Sequence, residues 1–246
     1  MIDKILKVLE ESKYQHMEET DQSKGKPQPR LFREYQGERT KLPDINHLEH
    51  PNMSLHEAIQ TRTSHRKFVQ KPLNLEDLSY ALWATQGVKK VVQDRATFRH
   101  VPSAGARHAF ETYLLVNHVE DVESGLYAYD PQTHELVYLQ SYDSVRDRVL
   151  AGCINQRMVV DAAVTFFWIA DIYRMSYRYG ERAYRYLLLD AGHICQNLYL
   201  VAEALEAKTC AIGAFDDDVL NEALAINTED SAVLYAAPLG YKAYED

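Results

Sequence analysis

A chain of 246 residues is long enough to bury one large core or two small ones. Apolar residues make up 46% and charged residues 26%, the balance of a globular protein, and a formal net charge of -9 argues against general nucleic-acid binding. The longest nearly apolar run, Ala162 to Ala170, is too short to cross a bilayer as a helix, which argues against a membrane protein.

The chain opens on Ile2, Ile5, Leu6 and Leu9, which share one helical face and predict a short amphipathic helix. No continuous apolar stretch of the secretory type accompanies it. Cys153, Cys195 and Cys210 are odd in number and lack CxxC spacing, so they read as reduced core thiols of a cytoplasmic protein. From Glu18 to His50, Gly25, Pro27, Pro29 and Pro43 punctuate a polar stretch without a sustained period. This predicts an extended arm, suited to wrapping a partner subunit. The chain divides accordingly into residues 1–50, helix and arm, and residues 51–246, the main domain.

Ser54, with Glu57 three residues on, is a capping-box signal for a helix that leads into Arg62-Thr63-Ser64-His65-Arg66-Lys67-Phe68. Seven residues there carry three permanent cations, two hydroxyls and a histidine. Forked guanidinium donors and hydroxyls suit an anion such as a phosphate; a solvated helix end is the equal alternative at this point. Pro72-Leu73 breaks the pattern. Leu75, Leu78, Leu82 and Trp83 then predict a second helix ending at Gly87. Residues 89 to 100 are basic and polar. In Val101-Pro102-Ser103-Ala104-Gly105-Ala106, small residues permit close backbone approach to a ligand.

Glu111 to Val116 predicts a strand, Gly125–Tyr129 and Glu135–Leu139 a hairpin, and Val159 to Ala170 a stretch containing a buried strand. Tyr184 to Ala207 is the longest helical pattern, and its apolar face is wide enough to predict a central position. Within it Gly192 implies close packing against another helix, and His193 reads as a core histidine. Thr209 to Phe215 and Ala232 to Leu239 predict two more strands. The N–H groups of Gly213 or Ala214 are placed to face a ligand, or simply end a strand. Asp216-Asp217-Asp218 reads as the first turn of a helix, not as a cation site.

Strands and helices mix without strict alternation, so the fold class is α+β, with a mixed or antiparallel central sheet flanked by helices. GxGxxG and GxxxxGK[ST] are absent, which makes the common dinucleotide and P-loop folds a poor fit. The ten histidines show no metal-ligand spacing, and Ser103 lies in P-S-A-G rather than a nucleophile elbow.

Four stretches, in order, resemble the FMN-dependent nitroreductase superfamily and its SagB-type (thiazole/oxazole-forming, ThcOx-like) dehydrogenase branch. They are R62-T-S-H-R-K-F; L78-S-Y-A-L-W-A-T-Q-G-V with V101-P-S-A-G-A-R-H; G125-L-Y-A-Y-D; and L189-D-A-G-H-I-C-Q-N-L-Y-L followed by C210-A-I-G-A-F-D-D. The resemblance implies an intertwined homodimer with FMN between the subunits. It implies that Arg62, Thr63, Ser64 and Arg66 grip the FMN phosphate and ribityl chain. Pro102, Ser103, Ala104 and Gly105 of the other subunit are then expected along the flavin ring, with Gly213 and Ala214 turned toward flavin N5. The implied chemistry is ping-pong hydride transfer from NAD(P)H or an organic substrate to an acceptor, with a small-molecule or peptide substrate. A peptide azoline dehydrogenase in a biosynthetic complex and a non-catalytic flavin-binding scaffold are the alternatives. Where azoline dehydrogenases of the branch place a Lys-Tyr base, this chain has Arg178-Tyr179, and an arginine stays protonated. A C-terminal basic residue of the kind that closes over the phosphate in many relatives is represented only by Lys242.

Overall fold

The computed structural model describes residues 2–49 and 51–243. The last residue of the arm, His50, and the final three, with Asp246, lie outside the described residues. Helices are α1 (Ile2–Glu11), α2 (Leu55–Thr61), α3 (Leu75–Gln86), α4 (Tyr142–Gly152), α5 (Met158–Asp161), α6 (Ile172–Tyr179), α7 (Ala183–Ala204) and α8 (Asp217–Ala223). Strands are β1 (Arg39–Lys41), β2 (Val88–Val92), β3 (Ala96–Arg99), β4 (Phe110–Val116), β5 (Gly125–Asp130), β6 (Glu135–Ser141), β7 (Val164–Asp171), β8 (Lys208–Thr209) and β9 (Ser231–Gly240).

Seven strands form one sheet in the order β1-β6-β5-β4-β7-β9-β8, and every pairing within it is antiparallel. The expected α+β class, antiparallel sheet and flanking helices are therefore present. β4 and β7 are its centre, and both faces are covered. Successive side chains point to opposite faces. Phe110, Leu114 and Val116 of β4 and Val164, Phe166 and Trp168 of β7 pack on the α3–α7 side. Tyr113, Leu115, Phe167 and Ile169 pack on the α4–α8 side. This is why the β7 run reads as continuously apolar rather than alternating.

Local signals explain the helix starts. Ser54 and Glu57 form the capping box: the Ser54 hydroxyl accepts the Glu57 N–H at 3.1 Å. The Asn74 side chain accepts the Asp77 N–H at 2.6 Å, and Asp216 caps α8 by accepting the Val219 N–H at 3.1 Å. Gly87 ends α3 with negative φ, so its glycine is needed for space: a Cβ there would stand 2.5 Å from the Trp83 carbonyl oxygen.

Several expectations change. The basic residues 89–100 form the separate β2–β3 hairpin. Thr209–Phe215 is not a strand throughout. β8 is two residues long, and after it only Ile212 touches the sheet, through an isolated bridge to Ala236. Within the arm, β1 pairs with β6 at the sheet edge, and Tyr35, Leu42 and Ile45 are buried. Among the described residues no helix is long and apolar enough to cross a membrane, and no group of His, Cys, Asp and Glu could hold a metal ion.

α7 runs against α3, α2, α6 and β9, but only part of its wide apolar surface is covered. Leu187, Ala191, Ile194, Cys195 and Leu198 are buried, whereas Tyr184, Leu188 and Leu189 are 53%, 47% and 58% exposed. His193 is exposed, so it is not a core histidine. A Cβ on Gly192 would meet nothing within 4 Å, so the described residues of this chain supply no helix against it.

Candidate functional site

The basic stretch is tied down at one end of α7. The His65 N–H donates to the Thr209 carbonyl at 3.0 Å, and Ser64 bridges to Thr209. The Ser64 hydroxyl meets the Tyr199 hydroxyl at 2.9 Å, and the Arg62 guanidinium lies 5.2 Å from the Tyr199 ring centroid. Glu203 is the nearby acid, but it already takes Lys208 and the Thr63 N–H. Among the described residues neither Arg62 nor Arg66 has an ion-pair partner, and Arg66 is exposed. Two cations four residues apart, neither paired with a carboxylate among the described residues, favour the anion-site reading over the solvated helix end.

The same tyrosine reaches the second element. The Ala211 N–H donates to the Tyr199 hydroxyl at 2.8 Å, and the Ile212 N–H to the Ala236 carbonyl at 2.7 Å. The chain then leaves the sheet. Gly213 and Ala214 are exposed, and among the described residues neither N–H has an acceptor. A Cβ on Gly213 would find its first neighbour, the Tyr235 ring, only at 3.9 Å. Arg62 and Ser64 are thus joined through Tyr199 to Ala211, two residues before Gly213, while the Thr63 N–H is held by Glu203 and Arg66 stands near Cys210; the sequence motifs alone do not single out Tyr199.

Pro102, Ser103, Ala104 and Gly105 belong to a different place. Asp190, buried on α7, accepts the Ala104 N–H at 3.1 Å, and the Ser103 hydroxyl accepts the His108 N–H at 2.9 Å. Burial raises the Asp190 carboxyl above the usual carboxylate range, against the lowering effect of Ser103 and the Ala104 amide. Gly105 has φ +54°, and a Cβ there would stand 2.4 Å from the Tyr179 hydroxyl and 3.0 Å from Arg178 Nε. Arg178 and Tyr179 therefore lie directly against this segment. Phe98, Pro102, Ser103, Gly105, His108 and Arg178 line a cavity of about 560 Å³.

A buried ionic network supports that wall. Glu111 pairs with Arg174 at 2.7 Å and accepts the Tyr35 hydroxyl at 3.0 Å; Arg174 also pairs with Asp171 at 3.0 Å and donates to the His108 carbonyl at 3.2 Å. Burial alone would raise the Glu111 carboxyl, but Arg174 and Arg99 pull it below the usual range. Burial, with Arg99 beside it, drops His108 to about 3, so its imidazole is neutral at ordinary pH.

Asp190 and Tyr199 are nine residues apart on α7, which places the two elements roughly 13 Å apart along its axis. None of residues 62–66 lines the Pro102–Gly105 cavity.

The nitroreductase family model matches residues 59–241, which covers the end of α2 through β9 and both elements just described. The chain belongs to the nitroreductase family. It is 35% identical over 185 residues to MJ1384, a nitroreductase candidate of Methanocaldococcus jannaschii, a match that spans 75% of this chain and 88% of that one. It is 29% identical over 132 residues to the trifolitoxin-processing protein TfxB of Rhizobium leguminosarum bv. trifolii, covering 52% of this chain and 35% of TfxB. Among solved structures, a nitroreductase candidate from Anabaena variabilis superposes with a TM-score of 0.64 at 31% identity, over 76% of this chain and 37% of that chain. The chain thus spans little more than a third of TfxB and of the Anabaena chain. The fold is shared with an FMN complex of a nitroreductase candidate from Desulfovibrio desulfuricans (TM-score 0.54, 19% identity, 77% and 86% covered). It is shared also with the E. coli microcin synthetase McbBCD complex with truncated pro-MccB17 bound (TM-score 0.61, 19% identity, 79% and 74% covered). Family membership makes this chain an oxidoreductase at the coarse level.

Proposed function

We propose that this member of the nitroreductase family is an FMN-dependent oxidoreductase of the SagB-type branch, working as a homodimer. The observation that carries the cofactor reading is the Tyr199 hub. It ties Arg62 and Ser64 to Ala211, which leads into Gly213 and Ala214, whose N–H groups have no acceptor among the described residues, while Arg66 stands exposed beside Cys210. These residues fit FMN. Arg62 and Arg66, with the Thr63 and Ser64 hydroxyls, suit its phosphate and ribityl chain; the open backbone at Gly213–Ala214 suits the edge of a flat ring. Held by these residues, FMN would supply ping-pong hydride transfer between a donor such as NAD(P)H and an acceptor. The protein's part is to bind, orient and screen. Ser64 is fixed by Tyr199 and the Thr209 strand end, and Asp190 holds the Ala104 amide so that Pro102–Gly105 presents small residues to the ring.

Two observations support the dimer. The phosphate-side residues and the Pro102–Gly105 segment line separate regions of one chain. In its N-terminal half α7 leaves Tyr184, Leu188, Leu189 and Gly192 bare, a stripe in which 184, 188 and 192 are spaced at i, i+4 and which a second copy would cover. The arm of residues 1–50 is proposed as a unit that extends this contact.

A second reading, a peptide azoline dehydrogenase working in a larger complex, is favoured by one relative and one structural neighbour. One of these is a trifolitoxin-processing protein, the other a microcin synthetase with its precursor peptide bound. Arg178 in place of a basic lysine weighs against it.

Replacing Arg62 and Arg66 together by Ala tests the cofactor reading. Each charge-assisted contact contributes about 1.5–3 kcal/mol, so FMN affinity should fall by well over a hundredfold. A double variant that purifies with full flavin content refutes the assignment. NAD(P)H bleaching the bound flavin, followed by reoxidation with a nitro or quinone acceptor, distinguishes an enzyme from a flavin-binding scaffold.

A further inference from the structure

The cavity beside Gly105 carries a charge imbalance that the flavin reading leaves unused. Arg178 is exposed at its edge and, among the described residues, pairs with no carboxylate; its guanidinium lies 5.6 Å from the Tyr179 ring centroid, and a Cβ on Gly105 would stand 3.0 Å from its Nε. The neighbouring Arg107 is buried and spends its donors on neutral carbonyls, Gly105 at 3.3 Å and Arg95 at 2.9 Å. Its guanidinium is disfavoured first by burial and then by Arg178, which shows that the two cations feel each other. Arg99 donates to the neutral Gln86 side chain at 2.8 Å. The acids nearby, Glu111 and Asp171, are both held by Arg174. His108 adds a neutral ring, and Phe98, 51% exposed, adds an apolar one. In a chain of net charge -9, this wall is cationic and lined by no carboxylate.

We propose that this cavity is a substrate subsite for an oxyanion, a carboxylate or a phosphate, on a molecule whose planar part lies against Pro102–Gly105, with Arg178 as the counter-charge. The proposal rests on the flavin reading for what lies beside that segment. A guanidinium cannot accept a proton, but its planar fork matches a carboxylate in two parallel hydrogen bonds. At the position where the resemblance expects a base, this chain selects a charged partner. The substrate class is then an anionic, unsaturated small molecule.

Isothermal titration of the purified protein with 4-nitrobenzoate and with nitrobenzene, which differ by the carboxylate, tests this directly. The expected result is a preference of at least about tenfold for 4-nitrobenzoate. It should weaken at high salt. R178A should reduce the preference to about twofold or less, and R178K, which keeps the charge without the fork, should retain an intermediate part of it. A parallel titration with NADPH and NADH identifies the source of the oxyanion. Discrimination between those two that R178A abolishes assigns the site to the donor's phosphate. If the protein discriminates neither pair, or if R178A leaves the discrimination intact, the subsite is refuted. Flavin content is measured on the same samples. A colourless protein that still discriminates through Arg178 overturns the flavin reading and leaves the oxyanion site standing.

Discussion

Glu111→Gln is the most informative perturbation of the scaffold behind the site. The carboxylate is buried at 3% exposure and is the counter-charge of Arg174, itself buried, at 2.7 Å. Arg99, also buried, has no ion pair among the described residues and depends on Glu111 through space. The amide keeps the size and a hydrogen-bond acceptor for Tyr35, so packing is preserved while the charge is lost. Two buried guanidiniums are then left with only the part-exposed Asp171, 3.0 Å from Arg174. Removing one partner of a buried pair costs about 3–5 kcal/mol. For a chain of this length that corresponds to a Tm lower by roughly 6–20 °C, at about 2–4 °C per kcal/mol. Thermal unfolding followed by circular dichroism reads it. The cycle is completed by Glu111→Leu with Arg174→Met, which removes both charges and their desolvation cost together and should recover most of the loss. A Glu111→Gln variant within 2 °C of wild type, or a double variant no better than the single one, would refute the argument that this pair is held by mutual neutralisation.

The same network sets a pH dependence. Glu111 is held below the usual carboxylate range, so its contribution is complete above about pH 4.3 and is lost as pH falls through its lower folded value; the acid limb of the stability curve should flatten in Glu111→Gln. Gly105→Ala should destabilise by about 1–3 kcal/mol, because φ is +54° and the new methyl meets the Tyr179 hydroxyl. Adding Tyr179→Phe should return part of that loss in chemical denaturation, and no recovery would mean that the backbone angle alone is responsible. Cys153 and Cys195 are pushed up to about 12 by burial, and Cys210 is raised by the same cause, so all three thiols should resist a disulfide reagent in the folded protein and react after denaturation.

Sheet and helices were readable where one physical rule dominates. β4 and β7 show unbroken apolar runs because both of their faces are covered, and α2, α3 and α8 carry side-chain caps that the residues announce. α4 was hidden because Asp143, Arg146, Asp147 and Arg148 give it a largely charged surface with only Val145, Val149 and Gly152 buried. The β2–β3 hairpin was hidden because Lys89 and Lys90 interrupt its alternation. Thr209–Phe215 looked like a strand, yet after Thr209 it is held only by the Ala211 N–H on Tyr199 and a single bridge from Ile212 to Ala236, and the Gly213 and Ala214 N–H groups have no acceptor among the described residues. The basic stretch and the small-residue segment were visible as motifs. Tyr199, Asp190 and Glu203 were not, since each sits singly in the long α7 pattern. A carboxylate within an apolar helical run, as at Asp190, is the one signal that points to it. The Glu111–Arg174 pair joins residues far apart in the chain, and no local spacing reveals it.

The central claim is that this chain binds FMN at the basic stretch with Arg62, Ser64 and Arg66 and at Gly213, where Tyr199 ties Arg62 and Ser64 to Ala211. The most direct measurement is the absorption spectrum of the purified protein, with the released chromophore identified and quantified. The prediction is an oxidised-flavin spectrum from FMN, stoichiometric with the chain and strongly depleted in Arg62→Ala with Arg66→Ala. A colourless protein that takes up no added FMN would contradict it.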